Sequence, residues 1–131
     1  KMTRFNITLQ QTVNMVDWVF KHSLGGEIFV PKIPSYRLVD LAKSICPKSK
    51  LRINGIRPGE KLHEELISTG ESMHTFETKD YYIILPNLNK IYIRRFNEKL
   101  KGKKVKLGFY YRSNENSFLS INELKKLLKN Y

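Results

Sequence analysis

The 131 residues suffice for one cored domain over residues 1–131, a 40% apolar content excludes a disordered chain, and a single cysteine, Cys46, excludes an internal disulfide. A formal net charge of +12 calls for a polyanion, an acidic surface or a solvated lysine-rich face. No apolar run approaches the roughly 20 residues of a membrane-spanning helix and no signal-peptide pattern opens the chain, so a reducing, cytoplasmic setting is expected.

In chain order, the opening Lys1-Met2-Thr3-Arg4-Phe5 runs into helical periodicity within ten residues, a start that reads as a cut inside a larger protein. Thr8 is the predicted N-cap of a helix whose Leu9, Val13, Val16 and Phe20 form an apolar stripe, widened by Trp18 and Val19. Gly25-Gly26 is expected to end it as a C-cap pair. Glu27-Ile28-Phe29-Val30 reads as a buried strand closed by Pro31. Ser35 is the expected cap of a second helix with Leu38, Leu41, Ala42 and Ile45 on one face and Pro47 beyond its end. Leu51-Arg52-Ile53-Asn54 reads as a short strand, and Lys61 to Ile67 as a short helix or strand. Tyr81-Tyr82-Ile83-Ile84-Leu85 is a β-rich run stopped by Pro86, and Gly108-Phe109-Tyr110-Tyr111 a further extended piece. Ser120-Ile121-Asn122-Glu123 is a capping box opening a terminal helix over residues 120–130, with Leu124, Leu127 and Leu128 as its face. The sum is a small mixed α/β arrangement.

The charge is concentrated. Residues 90–106 hold eight basic side chains against Glu98 alone, a net of +7. Residues 87–106 are therefore expected to be a basic, irregular connector. A nucleic-acid face is the rival reading, and it predicts steeply salt-dependent affinity.

Chemistry is sparse. The glycines never form a dinucleotide-binding fingerprint, since Gly25-Gly26 follows a helix instead of preceding one. There is no phosphate-loop sequence and no zinc spacing; His63 and Glu64 adjoin without a second histidine at helical distance. Cys46, at a predicted helix C-terminus, is a poor thiolate and reads as a packing residue. Catalytic residues: none expected. The binding candidates lie in Gly55-Ile56-Arg57-Pro58-Gly59-Glu60-Lys61-Leu62-His63-Glu64, where Arg57 and Glu60 stand three residues apart on a Pro-Gly turn. A guanidinium fork suits phosphate oxygens and a carboxylate suits sugar hydroxyls, so the pair could grip both ends of a nucleotide. The plain alternative is an arginine ion-paired to a glutamate across a tight turn.

Ile28-Phe29-Val30-Pro31-Lys32-Ile33-Pro34-Ser35, Val39-Asp40-Leu41-Ala42-Lys43 and the Gly55 to Glu64 stretch together resemble the inverting UDP-N-acetylglucosamine 4,6-dehydratases, which open the pseudaminic acid pathway for surface and flagellar glycans. Met2-Thr3-Arg4-Phe5 and Tyr111-Arg112-Ser113-Asn114 fit too, while Asn6 stands where the family commonly has tryptophan and residues 87–106 match weakly. The resemblance implies the substrate-binding portion of an extended short-chain dehydrogenase, without its Rossmann half. That half would hold NADP and the catalytic Tyr-Lys pair; no tyrosine here is followed four places on by a lysine. The chain alone is thus expected to lack dehydratase activity and to bind no cofactor. Carried over residue by residue, Arg57 would contact the diphosphate, Glu60 the nucleoside end, and Arg4, more loosely, the phosphates. The implied partners are a UDP-sugar, a Rossmann domain in cis or trans and further copies in a homo-oligomer. Nucleic acid and membrane are not expected. A stand-alone module that docks onto a partner dehydrogenase half is a further alternative.

Overall fold

Thr8 caps the first helix as expected: its hydroxyl accepts from the Gln11 N–H, and the Gln11 side chain accepts from the Thr8 N–H. The computed structural model describes residues 1–129. They form strands β1 (Thr3–Phe5), β2 (Ile28–Pro31), β3 (Ser35–Arg37), β4 (Glu65–Ile67), β5 (Thr75–Glu77), β6 (Tyr81–Ile84), β7 (Lys103–Lys104) and β8 (Tyr111–Arg112), and helices α1 (Leu9–His22), α2 (Leu38–Ile45), α3 (Lys90–Leu100) and α4 (Ile121–Leu128), with a 3-10 turn over Thr69–His74. This is the mixed α/β fold, with antiparallel sheets, expected for part of an extended short-chain dehydrogenase. Two compact units divide it.

The first unit takes residues 1–6, 33–65 and 112 onward. β1 and β3 pair antiparallel, with Arg4 opposite Tyr36. α2 and α4 pack on each other, and Leu124 is the buried residue of α4. Ser35 is wholly buried: its backbone bonds Ser117 and Leu119 on both sides, and its hydroxyl receives Asn116 Nδ2 at 3.0 Å. Ser35 is therefore not the expected helix cap; α2 starts at Leu38, behind Arg37. The expected strand at Leu51–Asn54 does not form either: among the described residues no strand offers it a ladder, and Ile53 is 94% exposed. The box at Ser120 opens α4 as predicted, and the helix runs to Leu128; Asn130 of the expected span lies outside the described residues.

The second unit takes residues 7–32 and 66–111. Its four-stranded sheet runs β2-β6-β5-β7, antiparallel throughout. Phe76, Ile83, Leu85 and Phe96 make the core. α1 ends at His22, capped by Ser23, so Gly25 and Gly26 are not its C-cap. They build the following turn at positive φ (109° and 87°), where Glu27 accepts from Leu24 N, Gly25 N and the Ser23 hydroxyl. β2 is an edge strand with Val30 alone buried and Ile28 exposed, less enclosed than its apolar run suggested.

The largest correction concerns residues 87–106. The basic stretch is not irregular: Asn89 caps α3, and Tyr92, Ile93, Phe96 and Leu100 line its inner face. Phe96 has no exposed surface and meets Phe76 edge to face, ring centroids 5.2 Å apart. Gly102 follows because a Cβ there would stand 2.7 Å from the Phe96 ring. β7 then adds Lys103 and Lys104 to the sheet edge. Charge on an edge strand discourages pairing with another chain.

Candidate functional site

The site belongs to the first unit. Glu60 N donates to Arg57 O at 3.0 Å, Pro58 sits second and Gly59 third, with φ of 79°. These are the features of a type II turn, which needs glycine at the third place. The Glu60 carboxylate accepts from its own turn at Arg57 N, 3.1 Å away. Its other oxygen stands 4.0 Å from Arg4 Nη2. The ion pair between Arg57 and Glu60 is therefore not formed. Among the described residues the exposed Arg57 guanidinium enters no ion pair, and Glu60 turns to Arg4 instead.

Arg4 is anchored. On β1, with only 20% of its side chain exposed, it donates to Thr3 O at 2.7 Å and sits 3.5 Å from Glu64. Glu64 in turn accepts from Phe5 N at 2.8 Å. Beneath them runs a buried hydroxyl network. Thr3 Oγ1 lies 2.7 Å from both His63 Nδ1 and Ser113 Oγ, and Ser113 Oγ accepts from Glu64 N at 2.9 Å. Thr3 N to Leu62 O and Ser113 N to Glu64 O fasten the backbone on both sides. Each such bond contributes on the order of 1 kcal/mol, and breaking a buried one costs more. The segment after Glu60 is thus tied to β1, while Arg57 projects from its free end.

Beside the network, Lys61, His63, Glu64, Glu65, Arg112 and Asn114 line an open recess of ≈ 320 Å³. Arg112 pairs with Glu65, and Asn114 Oδ1 is buried without a hydrogen-bond partner among the described residues. Of the three residues predicted from sequence, Arg4 and Glu60 come together and Arg57 stands apart on the same turn. The network of Thr3, His63, Glu64 and Ser113 was not predicted as a unit. Its signal lay in three separate runs, Met2 to Phe5, Gly55 to Glu64 and Tyr111 to Asn114.

The strand-to-helix glycine cradle that NADP, implied by the dehydrogenase likeness, would need is not formed among the described residues. A dinucleotide cradle sits where a parallel strand turns through glycines into a helix. Here the β1–β3 pair and the four-stranded sheet are antiparallel, and the Gly25–Gly26 turn runs from helix to strand. Among the described residues, no helix is long and apolar enough to cross a membrane.

Comparisons with known proteins place the chain. Residues 1–86 match the family described as polysaccharide biosynthesis protein. A UDP-N-acetylglucosamine 4,6-dehydratase (inverting) of Campylobacter jejuni subsp. jejuni serotype O:2 is 45% identical over 122 residues, 88% of this chain and 36% of that protein. A UDP-glucose 4-epimerase of Rickettsia canadensis is 36% identical over 132 residues, 97% of this chain and 38% of its own length. The X-ray structure of Pen from Bacillus thuringiensis aligns with 98% of this chain at a TM-score of 0.76 and 32% identity, using 37% of that chain. The chain therefore spans little more than a third of the relatives it matches. With two thirds of its residues matched and 45% identity to a dehydratase, the chain belongs to the polysaccharide biosynthesis protein family.

Proposed function

We propose that this chain is the UDP-sugar-binding portion of a nucleotide-sugar 4,6-dehydratase/5-epimerase that serves surface or flagellar glycan synthesis in the cytoplasm. The observation that carries the reading is the exposed Arg57 guanidinium on a turn braced by Glu60, in a chain whose relatives are named for UDP-sugars. Arg57 grips the diphosphate with its planar fork. Glu60 offers a carboxylate oxygen to the ribose hydroxyls, and Arg4 holds that carboxylate in place beside the phosphates. UDP-N-acetylglucosamine is the sugar favoured by the dehydratase likeness.

Redox and proton-transfer chemistry fall to a Rossmann portion that carries NADP, joined in cis or supplied in trans, within a homo-oligomer. The 131 residues alone supply grip, so UDP-N-acetylglucosamine incubated with them remains unconverted; turnover by the pure chain overturns the division of labour. Calorimetric titration with UDP and with UDP-N-acetylglucosamine tests the grip. Binding of both by the wild type and its loss in Arg57→Ala supports the clamp. Equal heats from the two proteins refute it.

A further inference from the structure

α1 has two apolar sides, and only one is used. Met15, Trp18, Val19 and His22 are half-buried. Trp18 stacks on Tyr81 with centroids 4.5 Å apart and meets Phe29 edge-on at 5.9 Å. This side seats the helix on the sheet. Leu9, Val13, Val16 and Phe20 recur at four-three-four spacing on the other side, within about 60° of one another at 3.6 residues per turn. They are exposed by 72%, 54%, 49% and 83%. A single exposed leucine needs no explanation, but an aligned row on a helix already seated elsewhere is an interaction face.

The charge around the stripe narrows what covers it. Apart from His22, α1 carries only Asp17 and Lys21 as titratable side chains, and these pair with each other at 2.6 Å. The stripe is a neutral island on a chain of net charge +12. Charge depletion around apolar side chains is the mark of an interface core. A second copy is disfavoured because it brings two such cations together. A polyanion finds no cation on the stripe. The comparisons supply the better occupant. The matched relatives and the Bacillus thuringiensis structure contain nearly all of this fold within chains almost three times as long. In them a helix like α1 has additional polypeptide to meet.

We propose that the Leu9–Val13–Val16–Phe20 stripe of α1 is the docking seat for the polypeptide that the relatives carry outside the span matched here, presented to this chain in cis or in trans. The proposal rests on the Rossmann-partner reading above and is independent of the nucleotide clamp. The partner's contact surface is apolar and poor in charge, since the stripe offers nothing to pair with.

The test is co-expression of the tagged 131-residue chain with the part of the Campylobacter jejuni dehydratase outside its matched 122 residues. Affinity capture and light scattering then read the complex. The wild-type chain is expected to capture its partner. Phe20→Asp, and the gentler pair Val13→Ser with Phe20→Ser, are expected to lose it by at least tenfold while circular dichroism and melting stay unchanged. Ile91→Asp on the exposed face of α3 is expected to retain it. No capture by the folded wild type overturns the proposal, as does undiminished capture by the Phe20 variants. So does Phe20-dependent self-association of the chain alone. UDP titration of the wild-type chain separates the two readings: Phe20-dependent capture without nucleotide binding sinks the clamp alone, and nucleotide binding by a wild-type chain that captures no partner sinks the docking seat alone.

Discussion

Arg4 and Arg57 flank the same glutamate and do opposite things. Arg4 lies on a paired strand, with one guanidinium nitrogen on a backbone carbonyl and two carboxylates within 4.0 Å. Arg57 rides an exposed turn and keeps its fork open, while Glu60 reaches past it to its own backbone and to Arg4. The difference separates bracing from presentation. Exposed ion pairs contribute about 0–1 kcal/mol, so Arg4 orients carboxylates more than it stabilises the fold. An arginine without an internal partner gives up little on meeting a diphosphate.

The comparison breaks first at Arg57. Arg57→Ala is expected to weaken UDP binding by about ten- to 150-fold, the roughly 1.5–3 kcal/mol of a charge-assisted bond. Its urea midpoint should barely move, because an exposed substitution away from packing stays within about 0.5 kcal/mol. A large loss of stability would make Arg57 a bracing residue after all.

Ser113→Ala tests the opposite end. It leaves the buried Thr3 hydroxyl and the Glu64 N–H short of a partner. About 1–3 kcal/mol should disappear from urea-unfolding stability. UDP affinity falls less than in Arg57→Ala if bracing and presentation are separable.

Glu60→Gln sharpens the middle position. The amide oxygen can still accept from Arg57 N, but the charge facing Arg4 is gone. UDP affinity is expected to drop about threefold to tenfold, roughly the 1 kcal/mol of an ordinary hydrogen bond, with little change in stability. A drop as deep as that of Arg57→Ala would assign Glu60 a second contact with the ligand.

The smallest effect comes from pH and lies outside the site. Burial alone would raise the Glu27 carboxyl, yet hydrogen bonds from Leu24, its own backbone, Ser23 and Tyr92 hold it below 4.5. A depressed folded pKa means that its stabilisation is present above 4.5 and is lost as pH falls through the lowered value. Tyr92 behaves inversely. Burial and the neighbouring Glu27 push its hydroxyl up from 10.0 to about 12. Its contribution is complete below 10.0 and disappears as pH climbs toward about 12. Glu27→Gln should flatten the acid limb of the stability profile and leave UDP affinity untouched. An unchanged acid limb would show that the turn after α1 draws nothing from this carboxylate.

Sequence was a good guide where the cause is local. The hydroxyl caps at Thr8 and Ser120 need only their own next turn, and both helices begin where expected. It was a poor guide where a distant neighbour decides. Leu51 and Ile53 have strand-like residues but no adjoining strand, so they remain irregular. Ser35 resembles a helix cap and instead fills a tight space against residues 117–119. Lysine density masks the Tyr92, Ile93, Phe96 and Leu100 stripe of α3, because the basic side chains interleave with it at every turn. The site divides in the same way. Arg57 and Glu60 were legible from one ten-residue run, whereas the contacts of Arg4 with Glu60 and Glu64 join distant parts of the chain and exist only after folding.

The most direct measurement of the clamp is an amide NMR titration of the isotope-labelled chain with UDP. Saturable shifts confined to Gly55 through Glu64 and to β1, absent in Arg57→Ala, are the predicted result. Shifts confined to the lysines of α3 and β7, or no shifts at millimolar UDP in a folded chain, would contradict it.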